Sequence, residues 1–452
     1  MVFQAGQVTE LVLGEAAHGG WCVARPEDGP VVFVRHGLPG ERVRARITDV
    51  TAKFARADAE EILVASPDRV EPPCPHARPG ACGGCDWQHA SLPAQRALKA
   101  AVVAQQLRRL AGIEREVTVE PLDGDGDQVS DGDHVRDDDN SDGDNSKIGG
   151  GGGGYGDNSK RGLGWRTRVQ FAVRSDGVAG LRAHRSHDVV DVGECLIAHP
   201  AVTGLGLTTR RWPSPAGGGV RSVEGVVGDE ARAVIVSGGK TTDSYEIDAG
   251  AAVLRRNRNG GMTALRGRNY LSQRAAGREW RVSVGGFWQV HPGAADALAA
   301  AVLAALEPRA GDCVLDLYCG AGLFAGVLAE AVGQGGTVIG VESEAAAVRD
   351  ARHNLPDWAR VHRGDVSAVL RRGGLPEARL VVADPPRAGL AREVIEYIDG
   401  AERFAYVSCD PATLARDIAL LTARGWTLTD LRAFDAFPMT HHVECVATLV
   451  RD

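Results

Sequence analysis

Residues 313–324 read CVLDLYCGAGLF, and the fold follows from how this stretch is read. An aliphatic run ending near Asp316 passes into Gly320-Ala321-Gly322 and then into an apolar helical segment. A strand therefore stops, turns on glycines and opens a helix. The same alternation recurs downstream at TVIGVE (337–342), RVHRGD (360–365), RLVVADPP (379–386) and FAYVSCD (404–410), each followed by a helical run. The chain then finishes with WTLTDLRAFD (426–435) and VECVATLVR (443–451), with no helix between them. Five strand–helix units and two closing strands predict an α/β, doubly wound sheet whose last strand runs antiparallel.

In such a sheet ligands bind outside the carboxyl ends of the strands. Those ends here are Asp316 with its glycine loop, Glu342, Asp365, Asp384-Pro385-Pro386 and Ser408-Cys409-Asp410. Gly320 and Gly322 would let backbone approach a ligand closely, and Glu342 is placed to accept hydrogen bonds from a ribose diol. A nicotinamide nucleotide or S-adenosylmethionine would suit this arrangement. The pairing of VLDLYCGAG with DPP resembles motifs I and IV of class I methyltransferases, which implies S-adenosylmethionine.

Upstream of this sheet the pattern changes. Residues 1–65 carry short β-type runs broken by glycine, predicting a small barrel. Within it Val43, Ala45 and Ile47 alternate with Arg42, Arg44 and Arg46, giving an arginine-lined face suited to a phosphate backbone. Residues 66–285 form a second region, mainly antiparallel α+β, with a helix expected from Ser91 and strands at WRTRVQFAVRS and GVAGLRAHRSHDVVDVG. Six arginines lie between 161 and 190 against Asp176 and Asp188, so phosphate contacts are expected there too. Residues 286–452 form the third region.

The 452 residues carry a formal net charge of −8, and segment 123–160 supplies that amount by itself, with eleven Asp against three basic residues. Its near lack of apolar side chains predicts a disordered acidic, glycine-rich insert. With no long apolar span and no basic, apolar leader around Glu10 and Glu15, the chain is expected to be cytoplasmic, away from membranes and monomeric. Nine cysteines fit reduced thiols in metal or catalytic roles better than a disulfide framework.

Cys409 sits at a strand end before a helix that Asp410 would cap and Pro411 would open. The positive end of that helix should favour its thiolate. Carbon 5 of a pyrimidine is too weak a nucleophile to attack a sulfonium methyl unaided. A thiolate adding at carbon 6 makes an enolate that can, after which a base must remove the proton at carbon 5. Glu444, entering the last strand, is the candidate base.

SCDPATLARD (408–417) and Pro438-x-Thr440-x-His442-x-Glu444 are similar to the nucleophile and base motifs of the RNA uracil-5 methyltransferase family. The resemblance implies Cys409 as the attacking thiol and Glu444 as the base. GGFWQVHP (285–292) resembles the family's lead-in segment, which implies that Gln289 contacts S-adenosylmethionine, together with Tyr318, Glu342, Asp365 and Asp384. Residues 1–65 resemble the TRAM domain, an RNA-binding barrel. Members carrying an iron–sulfur cluster show CGGC with one Cys before it and a distant fourth, which implies Cys74, Cys82, Cys85 and Cys195 as ligands here. Four thiolates would satisfy a [4Fe-4S] cluster or tetrahedral zinc, and one pair with two single cysteines favours the cluster.

The expected activity is S-adenosylmethionine-dependent methylation of uridine carbon 5 in a structured RNA, 23S rRNA or tRNA. Two rivals remain open: an iron–sulfur RNA-binding protein without catalysis, and an exocyclic amino-methyltransferase, which DPP alone would also admit.

Overall fold

The computed structural model describes residues 3–27, 29–122, 162–239 and 247–451. The expected acidic insert lies outside the described residues. An N-terminal six-stranded sheet has the order Val8–Val12, Arg42–Val50, Phe54–Val64, Val31–Arg35, Trp21–Ala24, Ala16–Ala17. Val43, Ala45 and Ile47 are buried in its core while Arg42, Arg44 and Arg46 face outward, as the alternation required. Two of these three arginines are paired with carboxylates, however. Arg46 makes two hydrogen bonds to Glu60, at 2.7 and 2.9 Å, and Arg44 pairs with Glu61 and Glu10 on the flanking strands. Cross-strand carboxylates neutralise part of what a single strand presented as basic.

The middle of the chain builds a seven-stranded sheet ordered Val189–Val190, Ala179–Arg182, Arg168–Val173, Val220–Val227, Arg232–Gly238, Ala252–Arg256, Met262–Arg266. Its pairings are antiparallel except between Arg232–Gly238 and Ala252–Arg256. A hairpin of Tyr270–Ala275 and Arg278–Ser283 follows and leads to the last sheet.

That last sheet is ordered Arg360–Arg363, Thr337–Glu342, Cys313–Leu317, Leu380–Ala383, Arg403–Ser408, Glu444–Val450, Thr427–Phe434. The first five strands are parallel and Glu444–Val450 runs antiparallel to Arg403–Ser408, as expected from the pattern. Val314, Leu315 and Leu317 are fully buried because helices cover both faces. An eighth strand, Val119–Glu120, pairs in parallel with Ala433 and Phe434. Two residues are too short a run to be legible as a strand. Through this strand and the helix Leu92–Gln106, part of the 66–285 region joins the last sheet.

The helix Leu92–Gln106 is fixed by a buried ion pair. Lys99, fully buried, bonds Asp435 and also donates to the Phe437 carbonyl at 3.0 Å. Removing one partner of such a pair leaves a buried charge unmatched. Lys99→Ala is therefore expected to destabilise the chain by about 3–5 kcal/mol, measured by urea unfolding. Replacing Lys99 and Asp435 together with apolar residues should recover much of that loss.

Candidate functional site

Asp316, Glu342, Asp384 and Cys409 stand at or just before the carboxyl ends of the parallel strands, where a ligand crevice is expected. Asp316 is fully buried; its Oδ2 accepts the Ala325 amide at 2.8 Å, and its Oδ1 has no partner. Burial, with the charges of Asp384 and Glu342, pushes its carboxyl up to about 8. The glycine loop turns through positive φ at Tyr318 (67°), Gly320 (54°) and Gly322 (93°). A β-carbon is costly in this conformation, which accounts for the two glycines, whereas Tyr318 is held there by its amide bonding the Val341 carbonyl at 3.0 Å.

Glu342 takes the Gly320 amide on Oε2 at 3.1 Å and the Glu344 amide on Oε1 at 2.7 Å, so it braces the loop as well as facing the crevice. Asp365 caps the helix Val366–Arg372 through the Ala368 amide at 2.9 Å. Burial raises the Tyr318 phenol to about 12, with Asp365 adding its charge. Burial also raises Asp384 to about 7. Gln289 is half-buried in a neighbouring cavity with Thr167, Arg168 and Trp288. These carboxylates and the spare oxygen of Asp316 suit a ligand with a ribose diol and positive charge. A sulfonium amino acid joined to a nucleoside has both.

The register of the antiparallel pair brings the two expected catalytic groups together. Ser408 pairs with Cys445, so Cys409 and Glu444 follow at neighbouring positions on the two strands. Each carries charge that bears on the other or on the shared neighbour Cys445. Asp410 caps Pro411–Thr422 through the Thr413 amide at 2.8 Å, as expected. The expected depression of the Cys409 thiol does not follow. Burial and then Glu444 push it up to about 11, against a smaller pull from Arg387. Desolvation outweighs the helix end and favours the neutral thiol in the free protein. Burial and Asp384 likewise raise Glu444 well above the carboxylate range, and Arg387 again opposes.

The 435–442 loop before Glu444 is held from several directions. The Met439 amide donates to Gln95 at 2.8 Å, while the Met439 carbonyl accepts from the Asp86 and Trp87 amides. His441 Nδ1 lies 2.6 Å from Asp86, which also meets Arg35 at 3.3 Å. From the N-terminal sheet His18 reaches Asp410, beside the nucleophile, at 3.1 Å. Thus the N-terminal unit touches both strand ends that carry Cys409 and Glu444. Asp86, His18, His441 and Arg387 escaped the sequence reading. Arg387 directly follows the DPP motif and could have been found there; the others meet only across domains.

The four remaining expected ligands behave differently. Cys74, Cys82, Cys85 and Cys195 are half-buried free thiols whose charges act on one another, so the 74–85 loop does meet distant Cys195. Yet among the described residues no group of three or more His, Cys, Asp or Glu is arranged to hold a metal ion. A tetrahedral ion with Zn–S near 2.3 Å needs sulfurs about 3.8 Å apart and deprotonated. Burial and the neighbouring thiols raise Cys85 beyond the thiol range and Cys195 to about 11, as expected for thiols held together with no cation beside them, and Cys82 Sγ accepts the Gly84 amide at 3.4 Å. The [4Fe-4S] or zinc centre expected from the cysteine spacing is therefore not shown by the described residues.

Comparison with known proteins settles the kinship. The tRNA (Uracil-5-)-methyltransferase profile matches residues 377–452, which include both Cys409 and Glu444. The TRAM domain profile matches residues 3–59. An uncharacterized RNA methyltransferase of Streptomyces avermitilis is 48% identical over 460 residues, covering 98% of each chain. The chain belongs to the RNA uracil-5 methyltransferase family. A further relative in this set, an uncharacterized RNA methyltransferase of Bifidobacterium longum, is 32% identical over 98% of this chain and 96% of its own. The profile of protein-L-isoaspartate(D-aspartate) O-methyltransferase matches residues 290–373, the glycine-loop half of the sheet. Among solved structures, Pyrococcus abyssi tRNA (uracil-54, C5)-methyltransferase in complex with S-adenosyl-L-homocysteine covers 98% of this chain and 100% of its own. It aligns with a TM-score of 0.67 at 22% identity, and so shares the fold. The family thus has a class I methyltransferase sheet here behind a TRAM unit. No helix among the described residues is long and apolar enough to cross a membrane.

Proposed function

We propose that the chain methylates carbon 5 of a uridine in structured RNA, 23S rRNA or tRNA, with Cys409 as nucleophile, Glu444 as base and S-adenosylmethionine as donor. The single observation that carries this reading is the strand register that sets Cys409 beside Glu444 at the strand ends, close enough to Asp384 for its charge to act on both. S-adenosylmethionine would supply an electrophilic methyl group; Tyr318, Glu342, Asp365, Asp384 and Gln289 are the residues to hold it.

The target base is flipped from its stack so that sulfur can reach the ring face. Burial raises both Asp384 and Glu444, and the charge of Asp384 adds to the rise at Glu444, so each holds its proton to higher pH than a solvated carboxylate would. Cys409 releases its thiol proton to solvent, with Arg387 favouring the thiolate, so that Glu444 keeps a free carboxylate for the later step. Sulfur then bonds carbon 6, and the ring electrons move to the carbonyl oxygen as an enolate. Carbon 5 takes the methyl group while the donor's carbon–sulfur bond breaks. Glu444 removes the carbon 5 proton, the enolate reforms and the Cys409–carbon 6 bond breaks. Arg387 lies close enough to act on both Cys409 and Glu444, which favours their charged forms during these steps.

RNA containing 5-fluorouridine tests the reading. Fluorine replaces the proton that Glu444 must remove, so enzyme, RNA and methyl group should remain joined on a denaturing gel and by mass. Transfer without an adduct, or methylation of an exocyclic amine, would refute it. Loss of one 5-methyluridine from the RNA of a deletion strain would identify the substrate.

A further inference from the structure

Beyond the crevice, the central sheet carries a cleft of about 330 Å³ at one end of its strands. Arg221, Arg255, Arg256 and Arg258 line it with Asn257, over a floor that includes Gly239. Arg221 and Arg258 are exposed, and Arg255 is half-buried. Among the described residues these three form no ion pair, unlike the arginines of the N-terminal sheet. The one carboxylate tied to the group is Glu224, which is buried and shared by Arg256 at 2.9 Å and Arg168 at 2.5 Å. Among the described residues, one of the four arginines of the cleft is paired with a carboxylate. In a chain whose formal charge is −8, that is a strong local field.

The cleft also connects to the catalytic half. Arg168, on the far side of Glu224, donates to the Gly286 carbonyl. Gly286 immediately precedes Phe287, which is 67% exposed, and stands three residues before Gln289. A chain of hydrogen bonds, Arg256 to Glu224 to Arg168 to Gly286, thus links the cleft to the segment that carries Gln289.

We propose that this cleft binds backbone phosphates of the substrate RNA at a distance from the reacting base, resting on the functional reading above. Guanidinium groups match phosphate oxygens in pairs, and Asn257 adds a neutral donor. The cleft would grip the folded RNA while the chain through Glu224 keeps that grip in register with the 285–289 segment. Because these contacts go to phosphates, they position the RNA and read no sequence.

The test is the full chain with Arg221→Gln, Arg255→Gln and Arg258→Gln together, sparing Arg256 so that Glu224 stays paired. Binding is measured to a structured RNA and to a short single strand holding only the target uridine and its neighbours, across a salt series. The structured RNA should bind at least tenfold more weakly at about 0.1 M salt, and the slope of log K against log salt should fall by about two, since each phosphate contact contributes about 0.7 to 0.9. The short strand should bind as it does to the wild type. If the triple variant is unstable, Arg221→Glu with Arg258→Glu, both at exposed positions, should weaken the structured RNA in the same direction. Unchanged affinity and slope in a folded variant would overturn the proposal, and so would equal weakening for both RNAs, which would mark a diffuse field. Wild-type protein with no affinity for any RNA would instead sink the functional reading, and the cleft with it.

Discussion

Cys409→Ala is expected to abolish methyl transfer, with a loss on the order of 10⁴-fold or more, as for removal of other covalent nucleophiles. The measurement is methyl incorporation into RNA under single-turnover conditions, with 5-fluorouridine RNA used in parallel to look for an adduct. Both signals should vanish while binding of S-adenosylmethionine persists, since the glycine loop, Glu342 and Asp365 lie on other strands. The substitution should not unfold the chain, because Cys409 is half-buried at a strand end and the Asp410 cap and Pro411 remain. Normal methylation by this variant would remove the proposed mechanism.

Glu444→Gln should give a different defect. The amide cannot take the carbon 5 proton, so methylation proceeds and the enzyme stays joined to methylated RNA. Turnover should fall by about 10²- to 10⁴-fold, the usual contribution of a general base, while a first round of methyl transfer is retained and the adduct accumulates on ordinary uridine RNA. The pH dependence supplies a second signature. Burial and the nearby Asp384 raise Glu444, so its proton is retained to higher pH than in water and the basic form grows as pH rises. Adduct release by the wild type should therefore accelerate from neutral into alkaline solution, and the variant should lose that dependence. Rapid release by the variant at every pH would assign the base elsewhere.

The catalytic sheet was legible because parallel strands buried on both faces leave continuous apolar runs, such as VLDL and LVVA, separated by helical periods. The same regularity marked the strand ends, and with them Cys409, Glu342, Asp365 and Asp384. The two-residue strand Val119–Glu120 left no such trace, since its pairing with Ala433 and Phe434 depends on residues more than 300 positions away. The arginine face of Arg42, Arg44 and Arg46 was legible as a face, but its charge was not. Glu10, Glu60 and Glu61 neutralise part of it from strands that sequence alone does not place alongside. The four-cysteine spacing indicated a ligand set, while the approach of the 74–85 loop to Cys195 is a property of the folded chain.

By itself, then, the sequence determined which elements form and which reactive groups stand at their ends, because periodicity, glycine turns and caps are local properties of neighbouring residues. Only the tertiary structure decided the protonation of those groups, the docking of His18 onto Asp410 and of His441 onto Asp86, and which arginines stay unpaired. Desolvation and charge pairing depend on what the rest of the chain brings within a few ångströms, and that is fixed when the sheets pack.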